Sequence, residues 1–91
     1  MNVQSAVSPS QPINAEQLRR LRWNCRRGLL ENDLVLERFL QIHGRDLDQG
    51  RLEILDELLA LGDNELWDLI VGRTELRHDR HQEVLGWIRS A

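Results

Sequence analysis

The stretch from Asn14 to Gly44, NAEQLRRLRWNCRRGLLENDLVLERFLQIHG, decides the fold class. It reads as two helices, each followed by a glycine. Asn14 suits an N-cap, and Gln17 stands three residues on, at the spacing of a capping box. Leu18, Leu21 and Cys25 then fall on one stripe. Gly28 loosens or ends that helix. A second helix is expected from about Leu30 to His43, with Gly44 as its stop. Its apolar residues Leu34, Val35, Leu36, Phe39, Leu40 and Ile42 cover much of its circumference, which marks it as the central, most buried helix.

The same pattern repeats outward to the C-terminus. Asp46 or Asp48 can cap a third helix that carries Leu52, Leu55, Leu58 and Leu59 inward, and Gly62 closes it. Asp63 is read as the cap of a fourth helix with Leu66, Trp67, Leu69, Ile70 and Val71 as its apolar set, ended by Gly72. A last helix from about Asp79 holds Val84, Leu85 and Ile88 on one face, with Trp87 beside them. No segment alternates in the manner of a strand, and Val, Ile and Thr are sparse. The expectation is an all-α fold: one small domain of about five short helices over residues 15–91, antiparallel and bundle-like. Residues 1–14 carry no charged side chain and are expected to form a disordered tail.

A chain of 91 residues supports one thin core and leaves little interior for a deep catalytic cavity. That weighs against an enzyme. The net charge of −3 excludes general adhesion to nucleic acid or to a membrane surface. All basic residues are arginine; there is no lysine. Arginine suits planar, two-pronged contacts to carboxylates and phosphates, a reading that applies where arginines cluster. A single cysteine excludes an internal disulfide framework and fits a reducing compartment. No apolar run is long enough to cross a bilayer. Neither a basic, apolar secretory start nor an arginine-rich presequence is present, so a cytoplasmic bacterial location is expected.

Arginines cluster at the end of the first helix. Trp23 lies off the Leu18–Leu21–Cys25 stripe, and its neighbours three and four residues away are Arg19, Arg20, Arg26 and Arg27. Either Trp23 packs against another helix, or it stands among guanidinium groups as a binding anchor. Such a patch could take phosphates or an acidic protein surface. Glu31 beside it weakens a phosphate site and suits a protein partner, where mixed charges fix orientation; it also suits the first turn of the second helix. Gly28 permits positive φ and close approach of a partner backbone, or is an ordinary helix end.

The stretch Arg22-Trp23-Asn24-Cys25-Arg26-Arg27-Gly28-Leu29-Leu30-Glu31 resembles the signature of the succinate dehydrogenase FAD-assembly factors, an Arg-Gly-x-x-Glu motif often preceded by Trp-x-Cys-Arg. Arg27, Gly28 and Glu31 match it position by position. A second resemblance lies at Asp63-Asn64-Glu65-Leu66-Trp67-Asp68-Leu69-Ile70-Val71-Gly72. Two departures stand out. Many members have Leu-Asp after the motif glutamate where this chain has Asn32-Asp33, and Leu69 replaces an aromatic.

The resemblance covers about residues 15–90. It implies a five-helix, non-enzymatic domain that binds the flavoprotein subunit of succinate dehydrogenase, often also that of fumarate reductase, and promotes covalent attachment of FAD to a histidine there. The flavin belongs to the partner, and none is held stably by the factor. The residues assigned to partner binding are Arg20, Trp23, Arg26, Arg27, Gly28, Glu31 and Asp33. A working monomer is expected, with a homodimer through Trp23 in isolation.

Two rival readings remain at this stage. One is an interaction protein of antitoxin type, a label some members carry, or a nucleic-acid binder using the arginine helix. The other is a metal site at His78 and His81, flanked by Glu75 and Asp79. Cys25, on the apolar stripe, reads as a buried and inert thiol.

Overall fold

The computed structural model describes residues 8–75 and 78–91. Its helices are α1 (Ala15–Asn24), α2 (Leu30–His43), α3 (Gln49–Leu59), α4 (Asp63–Ile70) and α5 (Gln82–Arg89), with single 3-10 turns at Gly44–Asp46 and Asp79–His81. Among the described residues there is no strand, only an isolated antiparallel bridge between Pro12 and Asp48. The fold is all-α, as the sequence pattern requires.

The helix starts follow the local chemistry. The Asn14 side chain accepts from the Gln17 N–H at 2.8 Å, and the Gln17 side chain accepts from the Asn14 N–H at 2.9 Å, closing the capping box of α1. Asp48, not Asp46, caps α3 by accepting from the Arg51 N–H at 2.9 Å. The fourth helix departs from expectation: its N-cap is Gly62, and Asp63 is its first residue. The Asp63 side chain is engaged elsewhere. The first helix ends at Asn24, well before Gly28, which lies in the connection to α2 with φ +99°. Gly44 does not break the chain; it stays right-handed and leads into the 3-10 turn.

The core is built from Leu21 and Cys25 of the first helical segment, Leu36, Phe39 and Leu40 of α2, Leu55, Leu58 and Leu59 of α3, Leu66, Leu69 and Ile70 of α4, and Val84, Leu85 and Ile88 of α5. Leu47, in the connection before α3, joins them at 1 % exposure. The second helix packs against both α4 and α5. It is central but not enclosed: Leu34 and Ile42 are each 54 % exposed, and Leu30 at its start is 65 % exposed. Leu34 and Ile42, counted in its apolar set, stay open because so short a chain has no further layer to cover the outer face.

The tail expected over residues 1–14 lies partly outside the described residues. Within them, residues 9–13 run along the start of α3. The Ile13 N–H donates to the Leu47 carbonyl, the Gln49 N–H to the Gln11 carbonyl and the Gly50 N–H to the Pro9 carbonyl. A Cβ at Gly50 would stand 3.3 Å from Pro9, so that glycine is what allows the segment to lie so close.

Ion pairs then tie α3 to the C-terminal region. Arg51 donates to both oxygens of Glu83, at 3.0 and 3.1 Å, and to Asp48 at 2.8 Å. Its guanidinium also lies 4.6 Å from the Trp87 ring centre, and His43 stacks on Trp87 at 4.6 Å. Arg89 donates to the Ile70 and Leu69 carbonyls, satisfying the end of α4 from α5.

Candidate docking site

The connection between α1 and α2 is the one place where the sequence clustered charge, glycine and an exposed aromatic. Trp23 is 68 % exposed, which settles the alternative between core and surface. Arg26 lies over its ring with 5.6 Å to the centroid, a cation–π contact that holds both side chains at the surface. Arg19 and Arg20 are exposed and share Glu16, Arg20 at 3.5 Å. Glu31 is exposed on the first turn of α2 and makes no ion pair or hydrogen bond with the described residues.

Arg27 behaves differently from its neighbours. Its side chain is 14 % exposed and points into the fold. Nε donates to Asp63 at 2.6 Å, one terminal nitrogen donates to the Leu59 carbonyl at 2.6 Å, and the other donates to the Leu61 carbonyl. One guanidinium therefore closes the end of α3 and the start of α4 at once, using the planar fork that lysine lacks. Asp33 sits half-buried on α2 and reaches back: its carboxylate accepts from the Arg27 N–H at 2.7 Å and from the Gly28 N–H at 3.3 Å. Asn32 is fully buried, and its amide donates to the Asp63 carbonyl at 2.9 Å. Its Oδ1 has no hydrogen-bond partner among the described residues.

The seven residues singled out from sequence thus divide in two. Arg20, Trp23, Arg26, Gly28 and Glu31 are exposed around one corner. Arg27 and Asp33 are engaged within the chain and hold the backbone of that corner in place. Gly28 is fixed from both sides at φ +99°, with nothing within 4 Å of the position a Cβ would take, so the space before it is open.

The decisive feature is that the two stretches singled out by resemblance, 36 residues apart at Arg27 and Asp63, are in direct contact. Residues 19–91 match the family described as flavinator of succinate dehydrogenase. The chain belongs to the flavinator family.

Curated relatives agree. The chain is 46 % identical over 56 residues to FAD assembly factor SdhE of Ralstonia nicotianae, covering 62 % of this chain and 59 % of that protein. It is 34 % identical over 67 residues to FAD assembly factor SdhE of Coxiella burnetii, covering 74 % and 82 %. It is 37 % identical over 71 residues to the protein of that name from Legionella pneumophila, covering 78 % and 89 %. The match to the Ralstonia protein spans less than two thirds of its length; the other two span most of theirs. No solved structure matches the chain significantly.

Sequence reasoning missed Asp63 and Asn32 as members of this candidate site. The available signal was the pairing itself: an inward arginine in the first motif needs an acid, and the second motif begins with one. Asn32 was noted only as a departure from an apolar residue, yet its position on α2 buries it beneath the corner.

Cys25 lies behind the same corner at 4 % exposure. Burial pushes its thiol up to about 12, against the opposing pull of the Arg27 guanidinium, so it is neither a nucleophile nor a ready metal ligand near neutral pH. His81 is buried, its Nε2 is 2.8 Å from Glu57, and its ring meets that of His78 edge-on. Glu57 also pairs with Arg80. Among the described residues no group of three or more His, Cys, Asp or Glu side chains is placed to hold a metal ion. No described helix is long and apolar enough to cross a membrane.

Proposed function

We propose that this chain is an assembly factor for covalent FAD attachment in succinate dehydrogenase, and that it works by docking its α1–α2 corner on the flavoprotein subunit. The observation that carries the reading is the Arg27–Asp63 clamp. It joins the two family motifs and presents Gly28, Glu31, Arg26 and Trp23 together on the outside. The factor is a docking protein rather than an enzyme. The flavin is held and modified on the partner, and this chain keeps none of its own.

The physical contribution is positional. Attachment requires a partner histidine and the flavin methyl group to meet in one geometry. Binding the flavoprotein rigidly on the histidine side lowers the entropic part of that barrier. Exposed Arg20 and Arg26 meet acidic groups of the partner, and Trp23 supplies an anchor of large, stiff area. Gly28 lets partner backbone approach. Glu31 orients a partner group by its charge. The same corner serves the flavoprotein of fumarate reductase, and the working unit is a monomer, whose exposed Trp23 can self-associate when no partner is present. A nucleic-acid reading is disfavoured by the carboxylates Glu31, Asp33 and Glu37 beside the arginines, which oppose a polyanion.

The test is in-gel flavin fluorescence of the denatured flavoprotein subunit from cells with and without the gene. Fluorescence is expected to fall on deletion, to return with the wild-type chain and not with Glu31→Ala. Unchanged covalent flavin on deletion would overturn the reading.

A further inference from the structure

Beside the corner, α1 and α2 enclose a half-open groove of about 700 Å3. One wall carries Arg22 from α1 and Arg26 from the connection that follows it, the other Asp33 and Glu37 from α2, and the floor is Cys25 and Leu40. Asp33 and Glu37 are four residues apart on α2, so the acidic wall runs along that helix. The opposed walls do not bridge. Among the described residues Arg22 and Glu37 have no ion-pair partner, Arg26 is engaged only with the Trp23 ring, and Asp33 is engaged with backbone N–H groups of the turn. Gly28 lies at one end, where its missing side chain leaves the entrance clear.

Facing charges that could neutralise one another but stand apart are complementary to a ligand that carries both signs. A polyanion such as a dinucleotide satisfies the arginine wall and is repelled by the carboxylate wall. An extended peptide answers both, because its successive side chains point to opposite sides. The acidic wall extends from Asp33 to Gln41, about 12 Å at the helical rise, which is the length of three or four extended residues.

We infer that this groove receives an extended segment of the flavoprotein partner in which an acidic and a basic residue lie at odd spacing, adjacent or three apart. The acidic residue meets Arg22 and Arg26, the basic residue meets Glu37 and Asp33, and a small side chain or bare backbone passes Gly28. This inference rests on the docking reading above and adds a second, sequence-selective contact to it.

The experiment is a binding titration of purified flavoprotein subunit against the full chain, paired with the covalent-flavin assay. The variants are Arg22→Glu, Glu37→Arg and the double exchange, with Glu31→Ala as the corner control. Arg22 and Glu37 are exposed and outside the Arg27 clamp, and a thermal melt of each variant checks that the fold is kept. Each single reversal is expected to weaken binding at least tenfold and to steepen or flatten its salt dependence. A photo-crosslinker at Gln41 is expected to capture one flavoprotein segment with the stated charge pattern. If the wild type and Glu31→Ala differ in binding but the groove reversals match the wild type within twofold, the groove is overturned and the docking reading stands. If the wild-type chain neither binds the flavoprotein nor supports flavinylation, both are overturned. Crosslinks to a second copy of this chain, or to no peptide with both charges, also overturn the inference.

Discussion

At the scale of single residues, Arg27 and Cys25 make the sharpest predictions. The Arg27 guanidinium donates to Asp63 and to the carbonyls of Leu59 and Leu61. Removing it leaves a carboxylate and two helix-end carbonyls without these donors, so Arg27→Ala is expected to cost about 3 kcal/mol, discounted from a fully buried pair because Asp63 is a third exposed. Arg27→Lys should recover less than half, since one ammonium cannot span three acceptors. Urea unfolding followed by helical circular dichroism reads both values. Cys25 controls the alkaline limb of stability. The folded chain keeps its thiol proton up to about 12, whereas the unfolded chain releases it near 9.0. The unfolded state thus binds fewer protons between those limits, and stability falls as pH rises, by about 1.4 kcal/mol per pH unit. The chain has no lysine and no tyrosine, and arginine stays protonated, so no other side chain titrates in that window. Cys25→Ala should level the decline in melts between pH 9 and 11.

At the scale of elements, much of the architecture was legible because helix starts and stops are local chemistry. The Asn14–Gln17 box and the Asp48 cap need only neighbours within one turn to form. Asn14→Ala is expected to lower stability by about 1 kcal/mol, measured as a shift in denaturation midpoint without a change in slope. The connection at Gly28 is a second case: a side chain there meets no atom, but φ +99° strains any residue with a Cβ. Gly28→Ala should therefore cost only about 1–2 kcal/mol in folding, while reducing covalent flavin on the partner far more than that loss implies. Two things were not legible. Periodicity assigned Asp63 a capping role because it cannot sense an arginine 36 positions earlier, and it counted Leu34 and Ile42 in the apolar set of α2 without counting the layers available to cover them. The exposure of Trp23 was open for the same reason: the helical wheel placed it off the stripe, but only packing decides whether another element reaches that side.

At the scale of the whole molecule, the helices are joined by a few ionic contacts between distant segments. Glu57 accepts from His81 and pairs with Arg80, and Glu83 is held by Arg51. The His81 hydrogen bond holds the Glu57 carboxyl below its ordinary 4.5, and the Arg51 hydrogen bond does the same for Glu83. Both groups bind more protons unfolded than folded as pH falls, so their stabilisation is complete above about 4.5 and is lost as pH drops through their folded values. Asp56, pushed up by burial, works in the opposite direction and blunts the effect. Thermal melts between pH 7 and pH 3 should show a falling midpoint below about 4.5, and Glu57→Gln should make that limb shallower.

The clamp between Arg27 and Asp63 also orders events in time. A ribosome that has released only α1 and α2 has already emitted every exposed residue of the docking corner, yet the acid and carbonyls that seat Arg27 are still unmade. The corner takes shape only after the start of α4 has emerged and folded back. A truncated or stalled chain therefore carries the whole corner sequence without its geometry, and under the docking function proposed above a partner that reads the geometry would pass over unfinished copies.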